Sequence, residues 1–319
     1  MKEEFLISSR RDFIKRLVAL PLCLEWGGQL LGATLPVAPN ETGAVIDTHT
    51  HFYDPTRPGG VPWPARSDPV LYRKALPPDF QSLPKPRPVC GVIVIEASPL
   101  LEDNQWVLDL AAAHPLIIGF IGHLPVGTPE FAHHLDRFAA NPIFRGIRIG
   151  ADVMKQDFDR VRSDLARLAE KNLTLDCLCN AAMLPDIVRL AQALPDLRMV
   201  IEHVAQVRID GKAPDSKWEA GLQAVAKQPN VFCKLSGLVD ATHRADGTAP
   251  RTAAFYRPVL DSLWLSFGPE RLIYGSNWPV CERFASYATV QGIIDDYVTP
   301  KGSHAIDAIF RLNARRGYF

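Results

Sequence analysis

The sequence shows no excess of charge of either sign. Among its 319 residues, Lys plus Arg and Asp plus Glu both number 35, which gives a formal net charge of zero at pH 7. A protein without a net positive field has no long-range attraction for nucleic acid or for an anionic membrane surface. The charge balance therefore argues against nucleic acid and favours a small-molecule substrate as the partner.

Cysteines are also few, and their spacing does not repeat. There are six, and most of them, such as Cys90, Cys177, Cys179 and Cys233, stand at the ends of apolar runs, where buried free thiols are common. Removal of the N-terminal segment that carries Cys23 would leave an odd number, which argues against a disulfide scaffold. For the C-x-C pair in LDCLC we favour core packing over a metal site.

Long apolar runs are absent after the N-terminal segment. No stretch there approaches the roughly 20 apolar residues that a membrane-spanning helix needs. The N-terminal segment itself has a basic start, a modestly apolar stretch and a small-residue end, which is the layout of an export signal. We therefore expect no stable membrane insertion once this segment has been removed.

The motif SRRDFIK, Ser9–Lys15, resembles the twin-arginine signal, which directs folded proteins to the twin-arginine export machinery. We predict an export signal over residues 1–33, a linker over residues 34–43 and a periplasmic mature protein. The alternative is an amphipathic N-terminal helix on a cytoplasmic protein, which Glu25 and the neighbouring pair of glycines would fit.

Short β-branched runs alternate with segments of helical periodicity along the rest of the chain. The composition, with 47% hydrophobic and 22% charged residues, supports a compact core. Strands that alternate with helices pair in parallel, and eight such units make a (β/α)8 TIM barrel, which we predict for residues 44–319. The rival, an open doubly wound sheet, lacks its G-x-G-x-x-G motif here. The predicted strands are AVIDTH, CGVIVIEAS, LIIGFIGHL, FRGIRIG, LTLDCLC, LRMVIEH, VFCKLSG and RLIYGSN.

Polar residues stand where these strands end. In a TIM barrel the carboxyl ends of all strands meet at one face, which carries the active site. In AVIDTHTHFYDP, His49 and His51 occupy alternate positions and so project to the same side of the first strand. Each polar residue alone has a plainer explanation as a rim residue or a salt-bridge partner, but together they predict a site at this mouth. The set is His49, His51, Glu96, His123, Arg148, Glu202, His203, Lys234, Ser276 and Asn277.

Four segments carry a family resemblance: VIDTHTHFYDP, VIEHVAQ, VFCKLSGL and RLIYGSNWPV. Together they resemble the amidohydrolase superfamily, and more narrowly the branch that contains sugar-lactone hydrolases and 2-pyrone-4,6-dicarboxylate lactonase. The resemblance covers essentially everything from Ala44 to Phe319. It implies that His49, His51 and His203 face the active site as catalytic residues and as ligands of one divalent metal, zinc or similar, in many but not all members.

One position departs from that family pattern. The family usually reads G-S-D-W-P after the eighth strand, where this chain has Asn277. An amide cannot act as a base near neutral pH, although its oxygen can accept a hydrogen bond. Water activation then falls to Glu96, Glu202 or a histidine, unless the chemistry has shifted or the site only binds. A strand-five histidine, present in binuclear members, is missing too, so we predict one weakly held metal or none.

Cationic and aromatic residues near the predicted mouth indicate how a substrate is held. Arg148, Lys234 and Arg283 are candidates for holding an anionic or polyhydroxyl substrate. Trp63 is a candidate for an apolar wall, with ordinary loop packing as the alternative. We predict an exported hydrolase of a small lactone or related cyclic ester, in which Asn277 and Glu96 join the histidines as catalytic residues. The alternatives are a decarboxylase of the same family and a noncatalytic binder.

Overall fold

The structure is a computed structural model and describes residues 43–319. Eight parallel strands form one sheet in the order of the chain, which confirms the predicted (β/α)8 TIM barrel. The predicted export signal over residues 1–33 lies outside the described residues, and so does the predicted linker up to residue 42. The strands are β1 (Val45–Thr50), β2 (Val89–Ile95), β3 (Ile117–Gly122), β4 (Phe144–Ile149), β5 (Thr174–Cys177), β6 (Arg198–Ile201), β7 (Val231–Leu235) and β8 (Leu272–Tyr274).

Helices connect the strands, as the helical periodicity between the apolar runs predicts. Within the described part of the chain, no helix is long and apolar enough to cross a membrane. The α-helices are α1 (Pro77–Gln81), α2 (Leu101–Ala113), α3 (Phe131–Ala139), α4 (Ala151–Met154), α5 (Phe158–Glu170), α6 (Leu184–Ala193), α7 (Ser216–Ala226), α8 (Ala253–Phe267), α9 (Tyr287–Val298), α10 (Ser303–Asp307) and α11 (Asn313–Tyr318).

The barrel closes between β1 and the segment that follows β8. The backbone N–H of Asn277 donates to the carbonyl of His49 at 2.9 Å, and that of His51 donates to the carbonyl of Trp278 at 2.8 Å. This junction nearly closes the barrel, through one bridge between Thr50 and Trp278. It also places Asn277 next to His49 and His51.

A small apolar cluster fills the barrel interior and reaches its amino-terminal end. It joins residues from six strands with Ala314 and Tyr318 of α11, and strands around a ring can meet in this way only across its centre. The Thr174 hydroxyl donates to the carbonyl of Gly317 at 2.6 Å, which ties α11 to β5. The C-terminal helix therefore closes one end of the barrel, and polar side chains occupy the other.

Candidate active site

Three histidines meet at the carboxyl ends of β1 and β6. His49 lies in β1 and is fully buried, His51 follows that strand, and His203 follows β6. The ring centroids of His49 and His51 are 5.0 Å apart, and those of His49 and His203 are 4.3 Å apart. The structure thus brings together the three residues that the sequence predicts as catalytic and metal-ligating.

The backbone that carries His203 is left-handed. His203, Val204, Ala205 and Gln206 have φ angles of 49°, 50°, 54° and 49°. This conformation costs a residue with a side chain roughly 1–2 kcal/mol, so neighbouring contacts must hold the segment. One of these is the bond from Trp218 Nε1 to the carbonyl of Val204 at 2.9 Å. Strain of this kind concentrates at functional sites, and no pattern in the sequence predicts it.

Hydrogen bonds orient the three imidazole rings. His51 Nδ1 lies 3.1 Å from the carbonyl oxygen of Ile95, so this nitrogen donates and Nε2 is left as an acceptor. His203 Nδ1 lies 2.9 Å from Ser236 Oγ. His49 Nε2 is buried and has no hydrogen-bond partner among the described residues. Ring nitrogens of His49 and His51 therefore remain for a metal, a substrate or a proton.

Burial keeps these histidines neutral. It lowers the pKa of His51 to about 3 and the pKa of His203 to about 4. The pKa of His49 lies well below its ordinary value, because of burial first and then because of the Lys234 ammonium. Neutral imidazole is the form that binds a metal ion or accepts a proton.

Asp176, Glu202 and Lys234 form a buried ion cluster beside His49, and all three side chains are fully buried. Lys234 Nζ lies 2.5 Å from Asp176 Oδ2 and 3.5 Å from Glu202 Oε1. The same ammonium lies 3.3 Å from His49 Nδ1. Lys234 is thus engaged inside the barrel, and its predicted contact with a substrate stays a prediction.

Arg148 and Glu96 extend the buried ion cluster. Arg148 Nε donates to Glu96 Oε1 at 2.9 Å, and Arg148 Nη1 lies 3.5 Å from Glu202 Oε2. Burial acts to raise the pKa of Glu202, but the charges of Arg148 and Lys234 hold that pKa at about 2. Burial raises the pKa of Asp176, although Lys234 opposes that effect. The predicted catalytic Glu96 and the predicted substrate contact Arg148 therefore form a pair with each other.

The other two predicted substrate contacts, Trp63 and Arg283, have partners of their own. Trp63 packs edge-on against His51 and Tyr53, with ring centroids 5.8 and 5.2 Å apart. Arg283 pairs with Asp68. Trp63 thus stands at the histidines, whereas Arg283 is held by a carboxylate, and contact of either residue with a substrate stays a prediction.

A cavity of about 500 Å³ opens beside His203 and Asn277. Asn277 has a φ angle of 61°, and its Nδ2 donates to Asp240 Oδ1 at 2.9 Å. The lining carries amides, imidazoles and the Asp240 carboxylate, but no lysine or arginine. The lining residues are Asn180, His203, Gln206, Gly237, Asp240, Ala241, His243 and Asn277.

Sequence reasoning missed Asp240. This residue is the first carboxylate after β7 and begins a 3-10 turn, Asp240–Thr242, in the loop that follows the strand. Reading only the last residues of each strand stops at Lys234 and Ser236. Extending the reading into the loops at the carboxyl ends, where TIM barrels place their catalytic groups, would have found it.

The donor set beside the cavity fits a divalent metal. One ligand atom from each of His49, Glu202 and His203 lies within 4.8 Å of the other two. The unpartnered His49 Nε2 is the kind of buried atom that a bound cation would satisfy. His51, the third predicted ligand, is not in this set, and Glu202 offers an anionic oxygen instead. The nearby Lys234 ammonium opposes a second positive charge, and weak binding stays a prediction.

Comparison with known proteins adds a family match over most of the chain. A family model described as Amidohydrolase matches residues 46–319. An L-fucono-1,5-lactonase of Burkholderia ambifaria is 31% identical over 240 residues, which are 74% of this chain and 80% of that protein. An L-fucono-1,5-lactonase of Burkholderia multivorans is 27% identical over 272 residues, which are 82% of this chain and 90% of that protein.

A solved structure agrees with the fold and bears on the metal. It is an amidohydrolase from Burkholderia multivorans with bound Zn, and it is 25% identical with a TM-score of 0.72. The alignment covers 86% of this chain and 99% of that one. That relative of the same fold holds a zinc ion.

Proposed function

The chain belongs to the amidohydrolase family, and on that premise we propose that it hydrolyses small sugar lactones at the mouth of the barrel. Two of its relatives are named as lactonases of an L-sugar acid. Lactone hydrolysis adds water across the ester bond of the ring and yields an open-chain hydroxy acid. The observation that carries the choice of substrate is the cavity lining, which offers amides and imidazoles but no cation.

The lining matches a neutral polyhydroxyl ring better than a dicarboxylate. Amides and imidazoles, such as those of Asn180, Gln206 and His243, both donate to and accept from sugar hydroxyl groups. A dicarboxylate requires basic partners with free donors. Arg148 and Lys234 are already paired with carboxylates, so the barrel offers a dicarboxylate little compensation for lost hydration.

The residues around the cavity have different roles in the proposed reaction. The bond to Ser236 holds the neutral His203 ring against the cavity, where the ring contacts the carbonyl side of the lactone. The buried ion cluster keeps Glu202 ionised beside His49. A divalent metal held by His49, Glu202 and His203 would, when bound, polarise the ester carbonyl or lower the pKa of water.

A lactone panel tests the proposed function. We expect wild type to hydrolyse at least one aldono-1,5-lactone, as measured by acid release in a weakly buffered indicator solution. The rate should fall by about 100-fold or more in His203→Ala. His133→Ala, an exposed histidine on α3, is the matched control and should retain full activity. Equal rates in wild type and His203→Ala would contradict the proposal, and release of carbon dioxide from a carboxylated ring would favour the decarboxylase alternative.

We further propose that the protein is exported through the twin-arginine pathway, and the motif Ser9–Lys15 supports this proposal. Cell fractionation of the full chain in a bacterium with that pathway tests it. We expect periplasmic enzyme in wild type and cytoplasmic enzyme when Arg10 and Arg11 are both replaced by lysine. Lys15→Arg keeps the charge outside the arginine pair and serves as the control.

A further inference from the structure

Asp240 lines the cavity and has one carboxylate oxygen without a hydrogen-bond partner among the described residues. Its Oδ1 accepts the bond from Asn277 Nδ2 at 2.9 Å. Its Oδ2 is buried and has no hydrogen-bond partner among residues 43–319. The same residue lines the cavity together with His203 and Asn277. A buried carboxylate oxygen that no group among the described residues satisfies calls for a water molecule or a ligand as its partner.

No cation pairs with this carboxylate within the described part of the chain. Arg283, the cation that acts on Asp240 through space, forms its ion pair with Asp68 instead. The other polar and titratable groups near it include the Asn277 amide, the Cys281 thiol, the Tyr256 hydroxyl, and the His203 and His243 rings that line the cavity. Burial raises the pKa of Asp240 to about 6, although Asn277 opposes that effect. A carboxyl that titrates near neutral pH can both take up and release a proton.

A structural role explains only half of this arrangement. The bond between Asn277 and Asp240 ties the loop after β8 to the loop after β7. An asparagine at position 240 would offer an oxygen for the same bond and would leave no charge buried. A carboxylate that lines the cavity and pairs with no cation of the described residues therefore points to chemistry rather than to loop packing.

We propose that Asp240 is the acid–base residue of lactone opening, an inference that rests on the proposed function. The Asp240 carboxylate takes a proton from water while the water oxygen bonds to the acyl carbon. The carboxyl then gives this proton to the ring oxygen as the bond between that oxygen and the acyl carbon breaks. The water is consumed, the hydroxy acid is formed and Asp240 returns to its ionised form. Asn277 is the positioning residue that holds Oδ1.

Asp240→Asn tests the assignment on the wild-type lactone substrate. We expect kcat to fall by about 100-fold or more, while KM changes by less than about threefold, since the amide cannot carry the proton. The midpoint of thermal unfolding should change by less than about 3 °C. Asp246→Asn is the matched control in the same loop, where asparagine keeps the oxygen that accepts from Thr248, and it should retain full activity.

The pH profile separates acid–base chemistry from a structural role. An ionised base loses activity as pH falls, so wild-type kcat/KM should decline below about pH 6. The residual kcat/KM of Asp240→Asn should no longer decline below about pH 6. Asp240→Glu should recover part of kcat, and its kcat/KM should decline at a different pH. All variants keep the proposed metal ligands His49, Glu202 and His203, so the comparison between them does not depend on a change of these ligands.

The outcomes distinguish the two proposals. Wild-type hydrolysis that persists within about threefold in Asp240→Asn overturns the role of Asp240 and leaves the proposed lactonase function in place. A wild-type protein that opens no lactone overturns the proposed function, and the role of Asp240 falls with it. If Asp240→Asn does not fold, Asp240→Ser takes its place, and hydrolysis within about threefold of wild type in that variant overturns the assignment.

Discussion

The buried ion cluster and the neighbouring cavity treat their charges in opposite ways. In the cluster, Lys234 stands between Asp176 and Glu202, and each group has a partner of opposite sign. At the cavity, Asp240 has a neutral amide on one oxygen and, within the described part of the chain, no hydrogen-bond partner on the other. Carboxylate oxygens without a hydrogen-bond partner occur in both regions, at Asp176 Oδ1, Glu202 Oε1 and Asp240 Oδ2, so the two regions differ in their ion pairing. Paired buried charges hold a geometry, whereas a carboxylate at a cavity without a cation is available for chemistry. We call the buried ion cluster around Asp176, Glu202 and Lys234 the scaffold of the site, and the residues that line the cavity, including His203 and Asp240, its working surface.

The largest expected effect comes from breaking the cluster. Lys234→Met leaves Asp176 and Glu202 buried without their cation, and we expect the free energy of unfolding to fall by about 3–5 kcal/mol. Denaturant titration measures this loss. Lys171→Met removes a largely exposed partner of Asp136 and should change stability little. A loss below about 1 kcal/mol for Lys234→Met would show that the cluster is no scaffold.

Ser236→Ala instead affects the cavity, because Ser236 contacts the His203 ring that lines it. It removes the group that orients His203 at Nδ1, so we expect kcat/KM to fall by about 10–100-fold, or about 1.4–2.7 kcal/mol. Steady-state kinetics on a hydrolysed lactone measures the loss. Ser266→Ala removes a hydroxyl bonded to the Ser262 carbonyl within α8, and it should leave kcat/KM unchanged. Unchanged kinetics in Ser236→Ala would mean that the ring needs no such support.

Metal binding tests both regions together, because Glu202 belongs to the buried ion cluster and His203 lines the cavity. We expect wild type to lose metal on dialysis against a chelator, because the Lys234 ammonium lies 3.5 Å from Glu202 Oε1. Glu202→Gln should weaken zinc binding by about tenfold or more in competition titrations, since it removes the anionic ligand. Glu170→Gln, an exposed carboxylate at the end of α5, is the control. Equal zinc affinity in wild type and Glu202→Gln would exclude Glu202 as a ligand.

The smallest expected effect comes from trimming the cluster at its edge. Tyr318→Phe removes only the hydroxyl that donates to Asp176 Oδ2 at 3.1 Å, so we expect a loss of about 1 kcal/mol in the free energy of unfolding. Lactone hydrolysis should stay within about twofold of wild type. Tyr72→Phe, at a half-buried position outside the barrel interior, is the control. A larger loss of activity than of stability would place Tyr318 on the working surface.

The strands and their order follow from local patterns. A run such as CGVIVIEAS is long enough for one strand, rich in β-branched residues and bounded by polar residues, so it can be read without knowledge of its neighbours. All eight predicted strands are present in the sheet. The convergence of His49, His51 and His203 follows in the same way, because carboxyl ends of parallel strands meet at one face.

The sequence predicts where site residues stand along the chain better than it predicts which side chains they pair with. Arg148 and Lys234 both end strands, as read from the sequence, yet each side chain pairs with a carboxylate more than fifty residues away. The left-handed segment His203–Gln206 leaves no mark in composition, since none of its residues is glycine. Asp240 escaped notice because its role depends on Asn277, which lies 37 residues further along the chain.

The sequence by itself determined the barrel, the strand ends and the three histidines, because hydrophobic periodicity and strand termini are local properties of the chain. The tertiary structure decided which charges neutralise one another and which stay available. Lys234 became part of the scaffold, and Asp240 became part of the cavity wall. The physical reason is that the energy of a buried charge depends on its desolvation and on partners within a few ångströms, and packing of distant segments sets both.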